Sequence, residues 1–237
     1  MLAEGLELAF NLGDPIEFVT NNPEPAIAHH CCICGPMTQL MRIRPIGRVE
    51  VLGVCFRPGG AYPFFFYPAV DLVNGYAEID DLWGARGLGI VDRIRDDSHT
   101  TKERIDFLDR HFLYLLDKNQ RNDSCVAATL DVIEALYGQV NIGRLAGLVG
   151  LSSRQLERRF KERVGMSPKQ LCRSLRFKNI FKNIATSHTD CWVTTAQACG
   201  YYDQSHLIKD FKHYIGSSPT DYFINPQARE SFFMGNF

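Results

Sequence analysis

The sequence predicts an α+β chain. A small antiparallel, β-barrel-like domain comes first, followed by an all-α domain in which one helical unit is used twice, the copies joined by a long helix. Three observations carry this. Short runs of alternating hydrophobicity fill the first 60 residues, and from Ser124 onward the apolar spacing is helical. In addition, Phe160-Lys161 and Gly165-x-Ser167-Pro168 return as Phe211-Lys212 and Gly216-x-Ser218-Pro219, 51 residues later. A repeat that carries turn residues and core residues together marks a supersecondary unit used twice.

The β domain is read from five runs. Leu6, Leu8, Phe10 and Leu12 share one parity and end at Gly13-Asp14-Pro15. Ile16 to Val19, Ile27 to Cys34, Leu40 to Ile43 and Arg48 to Phe56 follow, separated by Asn21-Asn22-Pro23, Gly35-Pro36 and Pro45-Ile46-Gly47. Short strands between Gly, Pro and Asn turns suit a small barrel or sandwich. The aromatic stripe from Tyr62 to Tyr67 reads as core, with a ligand pocket or dimer face as the alternative. Ile105, Leu108, Phe112 and Leu115 then recur at helical spacing, on a helix expected to pack back on the sheet. Asp117 to Asp123 is polar throughout. The expected domains are residues 1–117 and 124–237, with 118–123 as linker.

In the α domain Val126, Leu130, Ile133 and Leu136 form one apolar stripe. Asn141 caps a short helix that ends at Gly150. Ser152, with Gln155 three residues on, has the spacing of a capping box and opens a helix to about Val164. Ser167-Pro168 starts the long helix, since proline is tolerated at the first helical position. The second copy has a short helix ending at Gly200 and a helix from Asp203 to about Tyr214. A short helix, a glycine turn and a capped second helix make a helix-turn-helix.

The 237 residues are 45% hydrophobic and 22% charged, the balance of a folded globular chain. Apolar runs too short for a bilayer, and a start without a basic-then-apolar leader, lead to an expected cytoplasmic location. The net charge of −1 hides an asymmetry: 12 Lys/Arg face 20 Asp/Glu up to residue 140, and 14 face 7 after it. An acidic half joined to a basic half points to a polyanion as partner of the second half alone.

Function is expected in the second helix of each unit, at about 153–164 and 203–214. Leu156 and Phe160 face inward, leaving Arg154, Glu157 and Arg158 outside. Leu207 and Phe211 leave Ser205, His206 and Lys209 outside. Polar groups near the N-terminus of a helix entering the major groove are those that reach base edges. Phosphate contacts are expected from Arg159, Lys161, Lys169, Arg173, Arg176, Lys182 and Lys212, with Arg163 and Lys178 in the same basic set. The linking helix, Pro168 to Asn183, spans roughly 24 Å at 1.5 Å per residue. With the flanking units added, the two recognition helices are expected about 34 Å apart, one turn of DNA.

These residues carry a resemblance. The stretch from about Asn141 to Tyr222 resembles the DNA-binding domain of AraC/XylS-family transcriptional regulators, through Leu145-Ala146, Gly150-Leu151-Ser152, Leu156-x-Arg158-x-Phe160-Lys161 and Gly165-x-Ser167-Pro168 in the first unit. In the second unit the carriers are Gly200-Tyr201-x-Asp203-Gln204-Ser205-His206-Leu207, Phe211-Lys212 and Gly216-x-Ser218-Pro219. The resemblance implies seven helices, two helix-turn-helix units and regulation of bacterial promoters, with the six outward positions above used for base or groove contacts. Lys209 departs from the Arg common there. The first half is similar to an uncharacterised cupin-like N-terminal domain of some of these regulators, through Leu8 to Pro15, Gly47-Arg48-Val49 to Phe56-Arg57-Pro58-Gly59-Gly60, and Asp81-Leu82-Trp83-Gly84. Members of that group carry more sequence before the position of Leu6, which leaves two expectations open, a shortened N-terminus or a misassigned start.

The expectation is thus a transcription factor, not an enzyme, that binds double-stranded DNA. RNA polymerase, a small-molecule effector and a second copy of the chain are the further partners it allows. No cofactor and no metal are expected, and no membrane. Two alternatives stay open. His29-His30-Cys31-Cys32-x-Cys34 reads as a strand, but as a metal cluster it would fit a damage sensor like the DNA-repair methyltransferases that join a zinc-bound cysteine domain to a similar tail. Cys172, between Lys169 and Arg173, reads as packed core or as a redox-sensitive thiol.

Overall fold

A computed structural model describes residues 4–19, 26–38, 42–96, 98–186 and 192–224. The Asn21-Asn22-Pro23 turn and Leu40 lie outside the described residues.

The first half holds seven strands: β1 (Glu7–Asn11), β2 (Ile16–Val19), β3 (Ala26–Ala28), β4 (Cys31–Cys34), β5 (Arg42–Pro45), β6 (Val51–Cys55) and β7 (Tyr76–Glu78). They form two antiparallel sheets, ordered β6-β1-β4-β7 and β3-β2-β5. The sheets pack as an open sandwich instead of closing into a barrel. The run from Ile27 to Cys34, expected as one strand, is broken at His29-His30, and its two parts enter different sheets. Alternation on β4 then divides its cysteines. Cys31 and Ile33 join the larger core, whereas Cys32 and Cys34 meet Phe18, Ala28 and Met37 between the sheets.

Three helices follow: α1 (Ile79–Trp83), α2 (Ala85–Arg95) and α3 (Thr101–Lys118). Ile90, Val91 and Ile94 of α2 cover the outer face of the larger sheet with Leu8, Phe10 and Ile33. The α3 helix does pack back, but on a rotated face. Leu108 is buried, with Phe107 and Phe112 against the same core, while Ile105 stays 45% exposed. The reason is aromatic: Phe56, Phe64 and Trp83 all meet Phe112, which draws that edge of the helix inward. Within the stripe from Tyr62 to Tyr67, Phe65 is buried and stacks on Trp83, while Phe66 and Tyr67 face solvent.

The second half is helical, with seven helices among the described residues: α4 (Ser124–Ala135), α5 (Ile142–Leu148), α6 (Ser153–Val164), α7 (Pro168–Thr186), α8 (Trp192–Ala198), α9 (Gln204–Tyr214) and α10 (Pro219–Ile224). Caps set the boundaries. Asp123, Asn141, Ser152 and Asp203 each accept a backbone N–H of the helix they open. Gly150 and Gly200 leave α5 and α8 with φ of 69° and 75°, a left-handed conformation that side chains with a Cβ resist. Each unit has its own core, one around Leu145, Ala146, Leu156 and Phe160, the other around Ala196, Leu207 and Phe211.

Candidate nucleic-acid interface

Both second helices are fixed from below before they offer anything to a ligand. In α6, Leu156, Phe160 and Val164 are buried, and Ser152 and Gln155 form a reciprocal capping box at 3.3 and 2.9 Å. In α9, Leu207, Phe211 and Tyr214 are buried, and the Asp203 carboxylate accepts the His206 amide at 2.8 Å. With one face held, the opposite face is set. Arg154, Glu157 and Arg158 on α6, and Ser205, His206 and Lys209 on α9, are all exposed. The acidic first half covers none of these six. Glu157 also pairs with Lys161 at 2.8 Å, one helical turn on.

The expected phosphate contacts divide. Lys161, Lys169 and Lys212 are exposed, near the ends of α6, α7 and α9. The other four have partners on other elements: Arg159 and Arg173 tie down α6 and α9, and Arg176 and Lys182 tie α7 to the turn after α4. Arg159 donates to Asp123, the cap of α4, at 3.3 Å, and Arg163 pairs with the same carboxylate at 2.8 Å. Arg173 on α7 grips Asp210 on α9 through Nε at 2.8 Å and Nη2 at 2.7 Å. Arg176 donates to the Gly138 carbonyl at 2.9 Å, and Lys182 to the Tyr137 hydroxyl at 2.7 Å. Lys178 donates to Glu4 at the far end of the chain.

Asp210 is the hub that sequence reasoning missed. It is 1% exposed and also accepts the Tyr201 hydroxyl at 3.1 Å. Burial pushes the Tyr201 phenol far up, with Asp210 adding to the effect. Burial alone would lower Arg173, but the hydrogen bond and charge of Asp210 outweigh it, and its pKa is raised. The signal in the sequence was an acid on the inward side of an amphipathic helix, which requires a buried cation nearby.

The cysteine alternatives lose their geometry. Burial raises Cys172 to about 11, against the direction a reactive thiolate needs. Arg95 Nη1 stands 2.6 Å from His30 Nδ1; a guanidinium can only donate, so that nitrogen is the acceptor and is not open to a metal. Among the described residues no three His, Cys, Asp or Glu side chains converge as metal ligands. No helix among them is long and apolar enough to cross a membrane.

A helix-turn-helix domain family matches residues 145–224, and a domain of unknown function, DUF6597, matches residues 4–78. The HTH-type transcriptional activator RhaS of Pectobacterium carotovorum subsp. carotovorum is 32% identical over 95 residues, covering 40% of this chain and 34% of the relative. RhaS of Pectobacterium atrosepticum is 29% identical over 111 residues, 46% of this chain and 39% of that one. The chain thus spans little more than a third of the length of these relatives. Among solved structures, ToxT from Vibrio cholerae aligns over 94% of this chain and 91% of its own, at 10% identity and a TM-score of 0.48.

Proposed function

We propose that this chain, whose residues 145–224 form an AraC/XylS-type helix-turn-helix domain, is a sequence-specific DNA-binding transcriptional regulator reading two successive major-groove segments with α6 and α9. One observation carries the reading. Two capped helices, in the same sequence frame 51 residues apart, bury a Leu/Phe pair and expose polar side chains in their N-terminal turns. That is the presentation a groove-reading helix requires.

Arg154, Glu157 and Arg158 read one segment, and Ser205, His206 and Lys209 the next. Lys161, Lys169 and Lys212 supply phosphate charge. Arg159 and Arg173 act mainly by holding the helices that carry the readers, and Arg176 and Lys182 by holding α7, which links them. The first half, bounded as 1–117, is the regulatory part. It senses a small effector or pairs with a second copy, and the regulator activates transcription through RNA polymerase.

Selection of bound sites from random DNA, followed by binding titrations across a salt series, tests the reading. Arg154→Ala is expected to relax preference at one base pair. Lys169→Ala should weaken all sequences alike and lower the salt slope by about 1. Affinity indifferent to salt and to both substitutions would overturn the assignment.

A further inference from the structure

The two units match at two offsets, not one. Up to the turn glycine the offset is 50. Ala146 corresponds to Ala196 and Gly150 to Gly200, and the amides of Leu151 and Tyr201 donate to the Ala146 and Ala196 carbonyls, both at 2.9 Å. From the helix cap onward it is 51: Ser152 corresponds to Asp203, Leu156 to Leu207 and Phe160 to Phe211. The residue that makes the difference is Tyr202. The second turn is one residue longer than the first, and the added residue is an aromatic.

Its surroundings separate it from the tyrosine beside it. Tyr201 turns inward, 4% exposed, with its hydroxyl on Asp210. Tyr202 turns outward and is 92% exposed, the highest value among the large hydrophobic side chains described. An aromatic ring so fully in water contributes nothing to the core that surrounds it. Its position is informative: immediately before Asp203, the cap of α9, and three residues before the exposed reader Ser205.

Resting on the reading of α9 as a groove-entering helix, we propose that Tyr202 is a DNA-positioning residue whose phenol hydroxyl donates to a phosphate oxygen at the edge of the groove. When the N-terminal turn of a helix meets base edges, the turn before it lies against the sugar–phosphate wall. Tyrosine is among the side chains that make such contacts, which fix register without reading sequence. The first unit has Ser152 directly after Leu151 and no counterpart to Tyr202. The contact therefore makes the two units unequal, anchors the second one, and sets the direction in which a single chain lies on an asymmetric site.

The test uses the full chain and its selected DNA site, with affinity measured across a salt series for wild type, Tyr202→Phe, Tyr202→Ala and Lys169→Ala, alongside thermal melts. Both Tyr202 variants should melt like wild type, because the side chain packs on nothing. Tyr202→Phe should bind roughly tenfold more weakly, the loss of one hydrogen bond to a charged acceptor. The loss should be equal on the best site and on sites with one altered base pair. The salt slope should not change, since no charge is removed, whereas Lys169→Ala should lower it by about 1.

If wild type binds specifically and both Tyr202 variants match it, this role falls while the regulator reading stands. If Tyr202→Phe matches wild type and Tyr202→Ala alters preference at one base pair, the ring reads a base and the phosphate contact is overturned. A wild-type chain with no preference for any sequence defeats both readings together.

Discussion

Removing the guanidinium of Arg173 leaves the Asp210 carboxylate buried between α7 and α9 with only the Tyr201 hydroxyl. A buried pair that loses one member is strongly destabilised because the remaining charge is uncompensated. The Arg173 side chain is 37% exposed, so water offsets part of that cost, and Arg173→Ala is predicted to lower stability by about 2 kcal/mol. Urea denaturation checks the value. A drop below a few tenths would show that Asp210 is neutral or solvated. A second prediction concerns Glu78, beside Tyr76 on the rim of a cleft lined by His29, His30 and Asp80. Burial, with Asp80 and Asp81 adding, raises its carboxyl from 4.5 to about 6. The folded chain then holds the proton more tightly than the unfolded one, so stability falls as pH rises from about 4.5 to about 6. Glu78→Gln should flatten that window in thermal melts and stabilise the protein at pH 7. The gain should stay below about 1 kcal/mol because the group is only partly buried. A variant with an unchanged pH profile would refute the assignment.

At the scale of elements, the two glycines that end the helices of the first unit make different predictions. Gly150 has φ of 69°, but a Cβ there would meet nothing within 4 Å. Gly150→Ala should cost about 1–2 kcal/mol, the strain of a left-handed residue alone. Gly165 has φ of 89°, and its Cβ would lie 2.8 Å from Pro36 Cγ and 2.9 Å from the Ala69 carbonyl. Gly165→Ala should therefore cost clearly more, and should loosen the first half from the end of α6. Melting curves for the pair, with limited proteolysis near Pro36, compare them; equal costs would mean that this contact yields freely. The same elements show what the sequence could reveal. The repeat was legible because its signals are local: cap, turn glycine, Leu and Phe recur within a dozen residues. The stretch that became β7, α1 and α2 was not, because Gly84, Gly87 and Gly89 interrupt its apolar spacing. Nor were the partners of the basic residues. Arg173 and Asp210 lie 37 positions apart, and Arg159 and Asp123 lie 36, distances at which charge pairing leaves no pattern. The repeat even inverts the pairing. Arg159 and Asp210 occupy matching positions, 51 apart, so one recognition helix is tied down by its base and the other by its acid.

Over the whole molecule, the acidic half meets the basic half through charged contacts on α7 and the end of α6, beside the close approach of Pro36 and Ala69 to Gly165. Glu4, 6% exposed, accepts from Ser174 at 3.0 Å and from Lys178, both on α7. Glu7 lies close enough for Lys178 to lower its pKa, although burial dominates and raises it. Tyr62 sits under the guanidinium groups of Arg121 and Arg163, at 4.2 and 5.1 Å from its ring centre. Arg121 also donates to the Phe65 carbonyl at 3.0 Å. These contacts leave the exposed faces of α6 and α9 open, and Gly59 also closely approaches Leu130 of α4, so on the proposed reading the first half would act on those faces through how α4, α7 and the end of α6 are held. Glu4→Gln keeps the shape and the hydrogen-bond acceptor for Ser174 but removes the charge that faces Lys178. Hydrogen exchange in α7 should then rise, because Ser174 and Lys178 of that helix both donate to Glu4. DNA affinity should also change, because α7 supports both units. If exchange in α7 and DNA affinity both stay at wild-type values, the contact at Glu4 is packing alone, and coupling between the halves runs through the other contacts, those of Gly59, Tyr62 and Gly165 among them.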